Sequence, residues 1–232
     1  MQVEFHASSL AKSPKYNGVP KFQSTSYEQY EDENNYTAKT IGLNSNNQTI
    51  EVVHTTYENG RMTREWADYD GDNQPDAVDE WEYDDERNIT TWKQDHDGDG
   101  LYDCVEKSQY DDHDNMIAWG IDEDMDGEAD EINYYSYEYD DDGNITSYSA
   151  DYDGDGIMDY NQETEYNNEG NPVFKKIDKG NDGFNDEQIT YVYNELGGLI
   201  DEIHEIFFED GSSCSYTSIY DGNGNLLTKA MK

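Results

Sequence analysis

The sequence has few basic residues, few long aliphatic side chains and few cysteines. Only 14 Lys and Arg stand against 55 Asp and Glu, which gives a formal net charge of −41 over 232 residues. Because phosphate binding needs Lys and Arg, this balance makes nucleic acid a poor partner, and it argues equally against an anionic membrane surface.

Long apolar segments are also missing. No run is long enough to cross a membrane, and the N-terminus, MQVEFHASSLAKSPK, lacks the apolar stretch of a signal peptide. We therefore expect no membrane insertion, and a chain that is either cytosolic or written in its mature form.

The hydrophobic fraction is 33%, and 21 of these residues are Tyr, so material for an ordinary thick core is scarce. Low hydrophobicity combined with high net charge is typical of disorder. The alternative is that the acids are ligands of cations, which would then supply the missing stability. Composition does not decide between these two interpretations, but spacing does.

A tyrosine that opens a turn recurs along most of the chain. The eight positions are Tyr30, Tyr57, Tyr83, Tyr110, Tyr139, Tyr166, Tyr193 and Tyr220, at spacings of 27, 26, 27, 29, 27, 27 and 27 residues. The turns read, among others, YDDERN, YDDHDN, YDDDGN and YDGNGN. Asp, Asn and Gly dominate because they tolerate left-handed backbone and hydrogen-bond locally to it.

A second motif lies between these turns and keeps the same phase. Its pattern is D-x-D-x-D-x-x-x-D, and the third position of the last copy holds Gly180 instead of an acid. The five copies are residues 68–76, 95–103, 122–130, 151–159 and 178–186. They are called loops one to five below, and their residues are numbered as positions 1 to 9.

Each unit therefore reads as loop, strand, turn, strand, with strands of about seven residues. The 29-residue unit carries its two extra residues in DEINYYSYEY, which preserves the face of every side chain because strand periodicity is two. The loops decay at both ends, to GLNSNNQTI and EIFFEDGSS, as expected for the terminal units of a stacked array.

We predict an all-β fold, an extended antiparallel β-meander or β-solenoid-like array of about 27-residue units. Residues 1–25 are expected to form a polar, slightly basic arm, and residues 26–232 a single array with the acidic loops on one edge. Two strands per unit make a four-stranded propeller blade the poorer choice. The pattern leaves open whether the array is flat, spiral or closed.

The acidic loops are predicted to bind calcium, which takes six to eight oxygen ligands. Carboxylates at positions 1, 3 and 5 of a tight loop converge, the position-7 carbonyl can turn inward, and the position-9 acid closes the site. Mg²⁺ needs a tighter octahedron and more water, which favours calcium. The predicted ligands are Asp68, Asp70, Asp72, Gln74, Asp76, Asp95, Asp97, Asp99, Leu101, Asp103, Asp122, Asp124, Asp126, Glu128, Asp130, Asp151, Asp153, Asp155, Ile157, Asp159, Asp178, Asp182, Phe184 and Asp186.

Over nine residues each, these loops resemble the calcium loops of EF-hands, dockerins, thrombospondin type 3 repeats and integrin-type propellers. They depart from the EF-hand at position 12, where a bidentate Glu belongs and this chain has Asp79, Glu106, Asn133, Gln162 and Ile189. The Y-D-x-x-G-N turns resemble the YD repeats of bacterial Rhs and wall-associated proteins. The five loops predict up to about five calcium ions, and the resemblance implies a secreted or surface protein.

No catalytic motif stands out, so we expect no enzyme. Every close pair of carboxylates belongs to the repeat, and the histidines His6, His54, His96, His113 and His204 occupy unrelated repeat positions. The aromatic residues Trp92, Trp119 and Tyr148 share one phase of successive units. They predict a ladder of stacked rings across strands, with a sugar-binding strip as the alternative.

The predicted function is that of a calcium-rigidified fibre or adhesin component outside the cell, where calcium is millimolar. Two alternatives stay open: a module that binds a glycan or another surface protein, and a carrier segment of a YD-repeat toxin. Self-assembly into a homopolymer would use the N-terminal arm and the open sheet edges. Cys104 and Cys214 lie four units apart in the repeat, too far in an open meander for a disulfide.

Overall fold

The computed structural model describes residues 21–30, 32–43, 46, 48–221 and 223–231, with side chains described from residue 32 onward. In this part of the chain every regular element is a β-strand, and the all-β prediction is confirmed. The strands are β1 (Lys21–Tyr30), β2 (Tyr36–Leu43), β3 (Thr49–Glu58), β4 (Arg61–Asp68), β5 (Ala77–Tyr83), β6 (Ile89–Asp95), β7 (Cys104–Tyr110), β8 (Met116–Asp122), β9 (Glu131–Tyr139), β10 (Ile145–Asp151), β11 (Tyr160–Tyr166), β12 (Pro172–Lys179), β13 (Glu187–Tyr193), β14 (Leu199–Phe207), β15 (Ser213–Tyr220) and β16 (Leu226–Met231).

The chain divides into two compact units between Glu131 and Ile132. In the first unit, β1 to β8 pair antiparallel in chain order. In the second, β9 to β16 do the same. The meander prediction is confirmed within each unit. β1 begins inside the segment predicted as an arm, whose residues 1–20 lie outside the described part of the chain.

The predicted two-residue extension falls within a strand. β9 has nine residues, whereas β5, β7, β11 and β13 have seven each. Because the added length is even, β9 keeps the facing of its side chains, and Tyr137 lies directly opposite Tyr148 of β10.

The tyrosine-led connection is a tight turn that the residue after the tyrosine organises. In the turn between β9 and β10, Asp140 Oδ1 accepts hydrogen bonds from the amides of Asp142 and Asn144, at 3.0 and 2.8 Å. Asn144 Nδ2 also donates to Asp140 Oδ2, at 2.8 Å. Gly143 has φ +83°, a left-handed conformation that glycine adopts without strain. The Y-D-x-x-G-N motif is therefore a turn whose acid, glycine and amide each have a separate structural role.

The tyrosine itself fastens its turn to the preceding unit. Its hydroxyl donates to a main-chain carbonyl 21 residues earlier in the chain, which lies at the start of the neighbouring strand. The pairs are Tyr83 with Met62 (2.7 Å), Tyr110 with Ile89 (3.0 Å), Tyr166 with Ile145 (2.9 Å) and Tyr193 with Pro172 (2.9 Å). A register shift adjoins several of these tyrosines, as between Glu165 and Tyr166, and a bulge of this kind re-aims a side chain.

The core is thin and partly polar. Its buried apolar side chains are mostly small, such as Ala67 and Ala150, both fully covered. Two buried acids, Glu65 and Asp79, lie directly opposite each other on β4 and β5. Burial raises the pKa of Asp79, although the Trp92 indole N–H and the Gln94 amide donate to it and oppose the rise. Few side chains are left to bury, so hydrogen-bonded polar groups fill interior positions.

The turn carboxylates make the stability of the fold depend on pH. The hydrogen bond from the Asn144 side chain and those from backbone amides hold the pKa of Asp140 below its usual value. Because the folded pKa is lowered, the ionised carboxylate stabilises the fold above the ordinary carboxyl pKa, and this contribution is lost as pH falls through the folded pKa.

We predict that Asp140→Asn is less stable than the wild type at neutral pH and that this difference disappears between about pH 5 and pH 2. An asparagine at position 140 can still accept the hydrogen bonds from the turn amides. Asn167 does so at the equivalent turn, where its Oδ1 accepts from the amides of Glu169 and Asn171. Denaturant unfolding of both chains at each pH measures the difference, and effects common to both cancel. A difference that stays constant with pH would contradict the prediction.

Candidate metal centres

Each acidic loop begins with the carboxylate at position 1, which is the last residue of its strand in loops one to four and the last but one in loop five. Asp68, Asp95 and Asp151 are 3%, 3% and 1% exposed. In loop two, Asp95 Oδ1 accepts from the Gly98 amide at 2.7 Å, and Oδ2 accepts from the Gly100 amide at 2.9 Å. Loops one and four repeat both bonds. The loop backbone is thus wound around a buried anion.

The acids at positions 3 and 5 make shorter-range bonds of the same type. In loop two, Asp97 Oδ1 accepts from the Asp99 amide at 3.2 Å, and Asp99 Oδ1 accepts from the Leu101 amide at 2.8 Å. The position-7 residues Gln74, Leu101, Glu128, Ile157 and Phe184 donate in this way in all five loops. Successive amides therefore point at successive carboxylates along loops one to four.

The acid at position 9 closes the loop onto its own beginning. Asp103 Oδ2 accepts from the His96 amide at 2.7 Å, and the Asp103 amide donates to the Gln94 carbonyl at 2.7 Å. Asp76, Asp130, Asp159 and Asp186 form the same pair of bonds in the other loops. These bonds bring the ninth residue beside the first.

Four loops gather three carboxylates, each with an oxygen within 4.8 Å of the others. The groups are Asp68, Asp70 and Asp76; Asp95, Asp97 and Asp99; Asp122, Asp124 and Asp130; and Asp151, Asp153 and Asp159. Position 9 is thus a group member in three loops and position 5 in one. Asp72, Asp103, Asp126 and Asp155 lie in the same loops outside these groups. In loops one to four the structure therefore brings together three of the carboxylates that the spacing singles out.

Loop five differs from the others. Among its described residues there is no group of three gathered acids, because Gly180 stands at position 3. Asp178 Oδ1 accepts from the position-5 amide of Asp182 instead of the position-4 amide that loops one, two and four use. Asp186 and Phe184 keep the loop closure, so the backbone is retained while the ligand set is incomplete.

Loop three contains a carboxylate oxygen without a partner. Asp122 Oδ1 is buried and accepts no hydrogen bond from the described residues, whereas Oδ2 accepts from the Gly127 amide at 3.0 Å. In loops one, two and four a glycine amide at position 4 donates to the equivalent oxygen, and Met125 occupies that position here. A buried anionic oxygen left unpaired is costly, and a bound cation would satisfy it.

In loop four the backbone amides favour the ionised form of Asp151. Burial pushes the pKa of Asp151 upward, but the amides of Gly156 and Gly154 outweigh it and hold the pKa below the usual value. Hydrogen bonds to the charged form are one of the recognised causes of such a shift. Asp151 is therefore ready as an anionic ligand in neutral solution.

The aromatic residues predicted to form one ladder take part in separate local contacts. Trp92 stacks on Trp81 with ring centroids 6.3 Å apart, while the Trp119 indole donates to Glu106 at 3.0 Å. Tyr148 contacts Tyr137 at a centroid distance of 5.3 Å. Stacking thus holds for Trp92 on Trp81 and for Tyr148 on Tyr135, whose ring planes are inclined by 14°, whereas Tyr137 is tilted against Tyr148. Sequence reasoning missed these ring partners because they depend on strand register.

No protein-family model and no curated protein matches this chain. Among solved structures, it is similar to a chain of the Photorhabdus luminescens Tc holotoxin pore, with 13% identity and a TM-score of 0.46 over 92% of this chain. It is also similar to TcdB2-TccC3, with 16% identity and a TM-score of 0.42 over 84% of this chain. A porin-like protein from Bacteroides uniformis shows 12% identity and a TM-score of 0.32, over 88% of this chain and 92% of that one.

This chain spans 14% of the Tc holotoxin chain and 11% of the TcdB2-TccC3 chain. Among the described residues there is no helix with the length and apolar character of a membrane span.

Neighbouring loops pack closely at one glycine. A Cβ on Gly98 of loop two would lie 2.0 Å from the Pro75 carbonyl oxygen of loop one, whereas a Cβ on Gly100 would meet no atom within 4 Å. Both glycines are left-handed, with φ of +71° and +87°. They therefore separate the effect of loop packing from the effect of backbone conformation.

We predict that Gly98→Ala destabilises the first unit more than Gly100→Ala. The left-handed backbone alone costs an alanine about 1–2 kcal/mol, and only Gly98→Ala must also displace loop one. Denaturant unfolding in saturating calcium measures both losses. Equal losses would show that the two loops do not pack as described.

Proposed function

We propose that this chain is a calcium-binding structural repeat protein whose acidic loops are rigidified by one ion each in loops one to four. The observation that supports this most directly is the recurrence of three gathered carboxylates in four loops. The loops use their amides to hold these carboxylates in place, so the side-chain oxygens are oriented before an ion arrives.

The donor set fits a hard divalent cation. Each loop offers oxygen from several carboxylates and none from thiolate or imidazole within the gathered groups, which suits calcium rather than zinc or copper. Asp68, Asp95, Asp122 and Asp151 would hold the ion together with their loop partners. A carboxylate oxygen that accepts one N–H retains a second lone pair, so these hydrogen bonds do not prevent coordination.

The ion would contribute charge neutralisation and cross-linking of the loop. Each divalent ion offsets two of the 41 net negative charges. Because the core is thin, binding free energy would become folding free energy. Loops of this type in extracellular modules bind calcium at about 10⁻⁴–10⁻³ M. We therefore propose an extracellular or cell-surface setting, where free calcium reaches this range, and a structural or adhesive role.

A second candidate is a carrier segment of a YD-repeat toxin. It is favoured by the tyrosine turns, because in four of them the tyrosine hydroxyl donates to a carbonyl at the start of the neighbouring strand, always 21 residues earlier. In that role the array would serve as scaffold for other parts of an assembly. The two candidate functions differ in their need for calcium. The first requires ions in the acidic loops, whereas the tyrosine hydrogen bonds behind the second require none.

We predict that the chain binds four calcium ions. Asp153→Asn should reduce the number to three, because Asp153 belongs to the gathered group of loop four. Its matched control is Asp182→Asn in loop five, which should leave four. Isothermal titration calorimetry on the three chains, with Mg²⁺ as a competitor, provides the counts.

An unchanged count for Asp153→Asn, or a lost ion for Asp182→Asn, would contradict the assignment of sites. A count of zero in the wild type would leave the loops as hydrogen-bonded turns and favour the second candidate.

A further inference from the structure

Five tyrosines lie side by side on one face of β9, β10 and β11 in the second unit. Tyr135, Tyr137 and Tyr139 alternate along β9, so their side chains point to the same side of the strand. Tyr148 of β10 and Tyr160 of β11 complete the group. We name these five residues the tyrosine cluster. Tyr139 also opens a turn, but neither the calcium loops nor the tyrosine turns explain the other four.

Tyr148 is the centre of the cluster. Its ring centroid lies 5.3 Å from that of Tyr137, 5.8 Å from that of Tyr160 and 6.4 Å from that of Tyr135. Ala150 pairs with both Tyr135 and Tyr160 in register and is fully covered. Its small side chain leaves room for the rings around it.

Strand pairing as well as ring contact keeps Tyr137 and Tyr148 close together. They are direct partners in the register of β9 and β10, and their ring planes are inclined by 36°. Directly opposite side chains on antiparallel strands have Cβ atoms about 4.5–5.5 Å apart. Phenol rings at this distance can bring their ortho carbons together without unfolding a strand.

Oxidation of Tyr148 must release its hydroxyl proton. Tyr148 is partly buried, and burial raises the pKa of its hydroxyl. Tyr148 therefore stays protonated in neutral solution, and the proton leaves only when the ring is oxidised.

We infer that the tyrosine cluster is an oxidative modification site, at which a one-electron oxidant converts Tyr137 and Tyr148 to an intramolecular dityrosine. Each phenol loses one electron to the oxidant and its hydroxyl proton to water. The two phenoxyl radicals join through a new bond between their ortho carbons. The ring hydrogens at those carbons then return to the oxygens, so the product lacks two hydrogen atoms in all. The bond locks β9 to β10 covalently.

The test oxidises the full chain in calcium with photo-generated tris(bipyridine)ruthenium(III), for which persulfate is the terminal two-electron acceptor. Dilute protein disfavours coupling between molecules. Peptide mapping by mass spectrometry should identify a product that joins the β9 and β10 peptides through Tyr137 and Tyr148. The stacked pair Tyr36 and Tyr57 of the first unit gives different peptides and is scored separately.

The matched variants keep every ring and remove one hydroxyl each. Tyr148→Phe should abolish the cross-link, whereas Tyr193→Phe should keep it, because Tyr193 donates to Pro172 at the turn edge. The inference fails if the wild-type map lacks the Tyr137–Tyr148 product, whether or not Tyr36 and Tyr57 are joined, or if Tyr148→Phe retains the β9–β10 product. The wild-type map alone decides the matter if a variant does not fold. Its outcome is independent of the calcium count.

Discussion

A buried carboxylate wrapped by backbone amides is the interaction on which acidic loops one, two and four depend. Asp95 illustrates it: the side chain is nearly covered, and the amides of Gly98 and Gly100 point at its two oxygens. Burying an anion is tolerated only when it is paired or hydrogen-bonded. The sharp backbone path needed to deliver both amides explains why left-handed residues crowd these loops.

The repeat alternates two kinds of hairpin, which differ in whether their own hydrogen bonds satisfy their charged groups. The tyrosine turn is complete in itself, because its acid accepts from the turn amides and its hydroxyl anchors the previous strand. The acidic loop gathers three carboxylates that no described Lys or Arg neutralises through an ion pair within the group. Mutual repulsion among these acids is the cost that a calcium ion would offset.

The local part of this architecture could be predicted from the sequence, because the spacing of the repeated residues determines it. The 27-residue period, the strand lengths and the loop and turn boundaries all follow from short patterns around residues such as Tyr83 and Asp95. The contacts that depend on the register between strands could not be predicted in this way. Asp79 is buried opposite Glu65, and Tyr137 lies opposite Tyr148, because of the register in which neighbouring strands pair, and no local sequence pattern reveals that register. The division between Glu131 and Ile132 likewise has no sequence signal.

The central claim is that calcium completes loops whose hydrogen bonds already orient their carboxylates. Thermal unfolding of the wild-type chain in chelator and in millimolar calcium tests it most directly. The account predicts a large rise in Tm with calcium, because ions bound only to the folded state stabilise it by mass action. An equal Tm in chelator and in calcium would contradict it.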